Sequence, residues 1–207
     1  MLNIFEHKKK LKEKIMLNIS AHKFSIIYRD LKIDINKLGC VMLDVEPLDT
    51  MKPYKFDGLE SALYNAKDKS MFWVDGWMAD KNPHITLLYG LLKSAREYKQ
   101  KIKVVLKDWS LNEIEIADIG FFDSPMSSEP YYCIVAHIKP TPGLMEGHAR
   151  LEFLPHVNTH TFYKPHFTLC YIDKTCGEKY RDNLIRNFKK MWVGKKMKVR
   201  PGLNLGK

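Results

Sequence analysis

Cysteine is scarce in this chain: four residues, Cys40, Cys133, Cys170 and Cys176, with no Cys-x-x-Cys pair among them. That scatter excludes a disulfide scaffold and points to the reduced thiols of a cytosolic protein. No apolar run reaches the length of a membrane span, and the opening MLNIFEHKKKLKEKIMLNIS has no apolar core behind its charges to form a secretory signal. A soluble protein with no membrane partner is therefore expected. Tandem repeats with a period of about 20–50 residues, low-complexity tracts and Gly/Ser linkers are also missing, which excludes solenoids and tethered modules. His156 and His160 stand four apart, but Pro155 precedes them and no carboxylate or cysteine lies at supporting spacing. Neither a metal site nor a cofactor is expected.

What is present is a core-forming composition, with 45% hydrophobic and 12% aromatic residues, which excludes a disordered chain. Lysine and arginine number 34 against 24 acidic residues, a formal net charge of +10. Such an excess fits a polyanionic partner or a phosphate-bearing substrate. Residues 1–37 stand apart: EHKKKLKEKIMLNI places Leu11, Ile15 and Ile19 at helical spacing among lysines, the pattern of a basic amphipathic extension. The main domain is expected over 38–207.

Within that domain GCVMLDVEP reads as a first strand stopped at Glu46-Pro47. FDGLESALYNAKDK (56–69) reads as a helix, ITLLYG as a strand ended by Gly90, and 91–109 as a helix with Leu92, Ala95 and Ile102 inward. LNEIEIADIGFFD and YYCIVAHIKP form a long hairpin across SPMSSEP. Thr141-Pro142 opens a helix burying Leu144, His148 or Leu151, and Leu154. FTLCYI is the next strand, 175–192 a helix with Tyr180, Leu184, Ile185 and Phe188 inside, and KKMKVRP a last short strand.

Two of these strands begin alike. PHITLLYG at 83–90 has an echo in PHFTLCYI at 165–172. Side chains two apart on a strand share a face, so His84 and Thr86 project together, as do His166 and Thr168. Laid side by side, the two strands would put two imidazoles and two hydroxyls into one cleft. Phosphodiester transfer needs a base for the attacking oxygen and an acid for the leaving one, and histidine titrates near neutrality. Threonine hydroxyls can donate hydrogen bonds to the nonbridging oxygens, where charge develops. A lone His-x-Thr is more often structural; two copies sharing the proline before and the leucine after favour chemistry.

PHITLL and PHFTLC resemble the paired HxT motifs of the 2H phosphoesterase superfamily, over about residues 38–200 in order of elements. The resemblance implies an α+β fold of two pseudo-symmetric lobes, each an antiparallel sheet backed by helices, with the HxT strands lining a central, metal-independent cleft. It makes His84 and His166 the acid and base, and Thr86 and Thr168 the phosphate holders. Within the superfamily, GCVMLDVEP ahead of HITLLYGL looks most similar to phage anti-CBASS enzymes. That implies cleavage of the 3′,5′ bonds of cyclic oligonucleotide immune messengers such as cGAMP, and a place in the host cytosol. The alternatives are an enzyme of RNA ends, acting on 2′,3′-cyclic phosphates or 2′,5′ linkages, and a nucleotide sponge without turnover.

Around the motifs, Tyr54, Trp73 and Trp77 are candidate base-stacking residues, although Trp73 and Trp77 stand four apart and also suit a core. Lys81 and Lys164, just before the two motif histidines, are candidate phosphate contacts. Lys189, Lys190, Lys195, Lys196, Lys198 and Arg200 form a basic tail that either steers anions or is a solvated surface. Tyr89 and Tyr171 each lie three residues beyond a motif threonine, opposite in phase to it on an ideal strand, so core positions are expected for both.

Overall fold

The structure, a computed structural model, describes residues 37–51, 59–62, 83–123, 130–158 and 162–206. Among the described residues seven strands fall into two antiparallel sheets. The first has the order β2-β1-β7, built from β1 (Gly39–Asp44), β2 (His84–Leu91) and β7 (Asn204–Gly206). The second has the order β5-β4-β3-β6, built from β3 (Glu113–Asp123), β4 (Tyr131–Ile138), β5 (His166–Asp173) and β6 (Lys196–Lys198). The chain thus lays down two strands of one sheet, all four of the other, and returns to close the first with β7. The fold is α+β, with both HxT strands at sheet edges, and these edges, β2 and β5, lie against each other.

Four α-helices are described: α1 (Leu59–Ala62), α2 (Lys99–Val105), α3 (Pro142–Leu151) and α4 (Glu178–Trp192). Helix α3 starts where the sequence places it, with Thr141 capping the Leu144 amide and Pro142 in the first turn. It packs on β2 of the first sheet, and α4 packs on β3 of the second. Leu144, Leu151 and Leu154 are buried, as are Leu184, Ile185 and Phe188. One hydrophobic core runs from Val41 and Ile85 through Ile116 and Ile134 to Phe167 and Trp192. No described helix is long and apolar enough to cross a membrane.

Several elements differ from the sequence expectation. Helix α2 covers only 99–105, because β2 runs on through Leu91 and a series of turns occupies 92–98. Leu92 is consequently exposed, while Ala95 and Ile102 are buried as expected. Of the helix expected over 56–69, Leu59–Ala62 is described and the rest lies outside the described residues. Residues 174–176 form a 3-10 turn ahead of α4. Two buried residues of α4 were not singled out. Trp192 donates from Nε1 to the Thr50 hydroxyl at 3.2 Å, and the Arg181 guanidinium lies 4.0 Å over the Phe121 ring. Strand β7 was not expected at all, since three residues of NLG carry no strand pattern of their own. All four cysteines are free thiols.

Candidate active site

In both HxT strands the alternation of faces is interrupted at the same place. Across β1, Met42 pairs with Thr86 but Val41 pairs with Leu88, which leaves Leu87 as an extra residue. Across β4, Val135 pairs with Thr168 but Ile134 pairs with Cys170, which leaves Leu169 as the extra one. Each is a β-bulge, and each puts two buried residues in succession, Leu87-Leu88 and Leu169-Cys170. A bulge resets the strand phase by one residue. Tyr89 and Tyr171 therefore return to the open face beside Thr86 and Thr168.

This corrects the expected core positions. Tyr89 is 41% exposed, and Tyr171 is half-buried with its hydroxyl hydrogen-bonded to Thr168 and Cys133. The open face of each HxT strand thus carries His, Thr and Tyr in the same order. The signal was already in the repeat, TLLY against TLCY, since a bulge conserves side-chain type at three residues from the threonine where an ideal strand would use two.

The bulge in β2 is held from outside the sheet. The Leu87 carbonyl accepts a hydrogen bond from His148 Nδ1 on α3 at 2.6 Å, and the His148 ring stacks on Tyr163, centroids 3.9 Å apart. Farther along, Gly90 has φ +99 and a Cβ there would collide with the Val157 carbonyl. Only glycine lets the 155–157 segment close over this edge, where the Val157 amide donates to the Gly90 carbonyl and Leu92 donates to Pro155.

Neighbouring strands place different groups across from the two motif histidines. His84 sits opposite Asp44 on β1, whose carboxylate accepts from Asn204 Nδ2 at 3.0 Å. His166 sits opposite His137 on β4, which in turn sits opposite Asp118 on β3. Asp118 is ion-paired with Lys189 of α4 at 2.8 Å. Against the opposing pull of burial, that lysine holds the Asp118 carboxyl below the usual carboxylate range. Phe122 sets its ring edge-on to both imidazoles, centroids 5.0 Å from His166 and 5.9 Å from His137.

His166 Nδ1 lies 2.7 Å from the Lys164 carbonyl. A carbonyl only accepts, so Nδ1 carries its proton there and Nε2 is the accepting nitrogen of the neutral ring. Thr168 Oγ1 is 3.7 Å from Cys133 Sγ. Burial, then the neighbouring Cys133, pushes the Tyr171 hydroxyl up to about 12, so it remains a neutral hydrogen-bonding group.

Of the other sequence candidates, Lys164 immediately precedes Pro165 and β5, is exposed, and acts electrostatically on His137. Tyr54, Trp73, Trp77 and Lys81 lie outside the described residues, as does His160. His156 spends both ring nitrogens locally, on the Leu154 carbonyl and on Asn158, each at 2.8 Å. In the basic tail Lys189 and Lys196 pair with Asp118 and Glu113. His137 was missed because YYCIVAHI reads as a uniformly apolar strand and nothing local marks its one imidazole.

No family model and no curated protein matches the sequence. Among solved structures the fold is similar to Usb1 of Kluyveromyces marxianus, at 10% identity and a TM-score of 0.45, over 82% of this chain and 97% of that one. The same protein with uridine monophosphate matches at 11% identity and a TM-score of 0.43, over 83% and 99% of the two chains.

Proposed function

We propose that this chain is a metal-independent phosphodiesterase of the 2H type that cuts ribonucleotide 3′,5′ bonds, and that its substrate is RNA. The observation that carries this reading is the duplicated open face: His84, Thr86 and Tyr89 on one edge strand, His166, Thr168 and Tyr171 on the adjoining one. One imidazole takes the proton of the ribose 2′-hydroxyl, which attacks the adjacent phosphorus in line. The other imidazole gives a proton to the departing 5′ oxygen, and a 2′,3′-cyclic phosphate end remains. Thr86 and Thr168 donate to the nonbridging oxygens, whose charge grows in the transition state. The Lys164 carbonyl fixes which nitrogen of His166 exchanges the proton.

The lysines beside His137, the residue across from His166, and the net charge of +10 support RNA over a small cyclic messenger. The finer similarity to messenger-degrading enzymes rests on β1 and β2 alone. The deciding experiment incubates the protein in excess EDTA with a short oligoribonucleotide and, separately, with 3′,3′-cyclic GMP–AMP, beside the His84→Ala/His166→Ala double variant. Cleaved RNA from the parent only, with a steep fall at high salt, is the expected result. Linear product from the cyclic dinucleotide alone would move the substrate to messengers. Tight binding of either without turnover would make the protein a sponge.

A further inference from the structure

His137 lies in the site without a part in the reaction as written. Its ring occupies the open face directly across from His166, against the Phe122 edge. Room for it is made by Gly120: a Cβ there would stand 2.8 Å from His137 Nε2. The ring is half-buried, and around it stand His166 on β5, Lys164 before β5, Lys189 on α4 and Asp118 on β3. Among the described residues Asp118 is the one anion in this group, and it is already engaged by Lys189. The group therefore has an excess of cationic and hydrogen-bonding capacity facing solvent.

We infer that His137, Lys164 and Lys189 form a second phosphate-binding position beside His166, which receives the phosphate next to the one being cut. The inference rests on the phosphodiesterase reading for the identity of the ligand, a polynucleotide with at least two phosphates. Phe122 packs edge-on against both imidazoles and so lies between the two positions. Burial, then the charges of His166, Lys164 and Lys189, hold the His137 imidazole below its ordinary value, with Asp118 opposing. An incoming phosphate reverses that balance, because an anion beside the ring favours the imidazolium. Binding at this position should thus draw a proton onto His137.

Two measurements test it. The first compares cleavage of UpU, pUpU and UpUp. One of the two terminally phosphorylated forms should exceed UpU in kcat/KM by about tenfold, the scale of one charged hydrogen bond. In His137→Asn, and in Gly120→Ala, which displaces the ring without removing it, that ratio should fall towards one. A shifted pH profile for UpU with an unchanged ratio would make His137 a partner of His166 instead, and would overturn the subsite.

The second measurement follows the His137 imidazole by NMR in the slowed His84→Ala protein while UpU, pUpU or UpUp is added at millimolar concentration. The expected result is an upward move of its titration midpoint with the preferred phosphorylated form and none with UpU. A midpoint indifferent to all three overturns the inference even if RNA is cleaved. A midpoint that moves in a protein whose parent cleaves nothing would leave the phosphate position standing and remove the enzyme reading.

Discussion

The two HxT strands share a backbone and differ in company. Both sit at a sheet edge, both bulge at the leucine after the threonine, and both turn His, Thr and Tyr to the same side. On β2 the histidine faces a carboxylate, Asp44, and the tyrosine is exposed. On β5 the histidine faces a second imidazole, and the tyrosine hydroxyl is tied to Thr168 and Cys133. A duplicated scaffold thus places His, Thr and Tyr twice, while the next strand over makes the two copies chemically unequal. Inequality is what acid–base chemistry requires, since one imidazole must begin protonated and the other not.

The largest effect should come from removing either histidine. His84→Ala and His166→Ala are each expected to cost about 10²–10⁴-fold in kcat with a modest change in affinity. In the proposed reaction the two act in one step, so the double variant should be little worse than the poorer single one. Single-turnover rates and ligand affinity measured on all three variants check this. Losses that multiply would separate the two strands into independent sites and break the symmetry of roles.

Next in size is the bulge itself. Leu87 and Leu169 are fully buried, and each is the extra residue that sets the phase of its strand. Leu87→Ala and Leu169→Ala should each destabilise by about 2–5 kcal/mol, read from urea midpoints. Leu87→Ala should lie at the milder end, because His148 holds the Leu87 carbonyl from α3 whatever the side chain. The reverse order would mean that the hydrogen bond from His148 does little for the β2 bulge.

These bulges also explain how far the sequence could be read. The repeat PHxTL placed both motif strands, and amphipathic periodicity located α3 and most of α4, because those signals are local. The short α2 and the bulges are tertiary outcomes: the matched TLLY and TLCY carry a trace of the bulge, but only pairing with β1 and β4 makes Leu87 and Leu169 the extra residues. The same holds for Tyr89 and Tyr171, assigned to the core by ideal alternation and returned to the open face by one inserted residue. Asp44 and His137 became neighbours of the motif histidines through register, which no window along one strand contains. Gly90 reads in the sequence only as a strand end, and the structure adds what the glycines do: Gly120 admits a ring, and Gly90 takes a positive φ inside β2.

The tyrosines should sharpen the comparison at a smaller scale. Tyr89→Ala removes an exposed aromatic face on the first strand and is expected to raise KM by about tenfold with kcat nearly retained, the size of a lost base stack. Tyr171→Phe removes only the hydroxyl that steadies Thr168. Its effect should fall on kcat, by about fivefold, with KM nearly unchanged, as for one neutral hydrogen bond. Tyr171 would then be a positioning residue and Tyr89 a substrate contact. Equal shifts of KM in both variants would erase the distinction between the strands.

The smallest effect is the most specific to the second sheet. Burial first, and then the charge of His166, hold folded-state His137 below the ordinary histidine value of about 6.5. Below that pH the unfolded chain binds a proton that the folded chain resists, so stability falls as pH drops from about 6.5 to the lowered folded value. Above about 6.5 this group leaves stability flat, and below the folded value the loss is complete. His137→Asn cannot titrate, so its melting temperature should decline less between about pH 7 and 5 than that of the parent. Replacing His166 by alanine removes one of the charges that oppose protonation and should give an intermediate slope. Parallel melting curves for all three proteins across that range would mean that the two imidazoles of the second sheet do not sense each other, and that the sheets differ in shape alone.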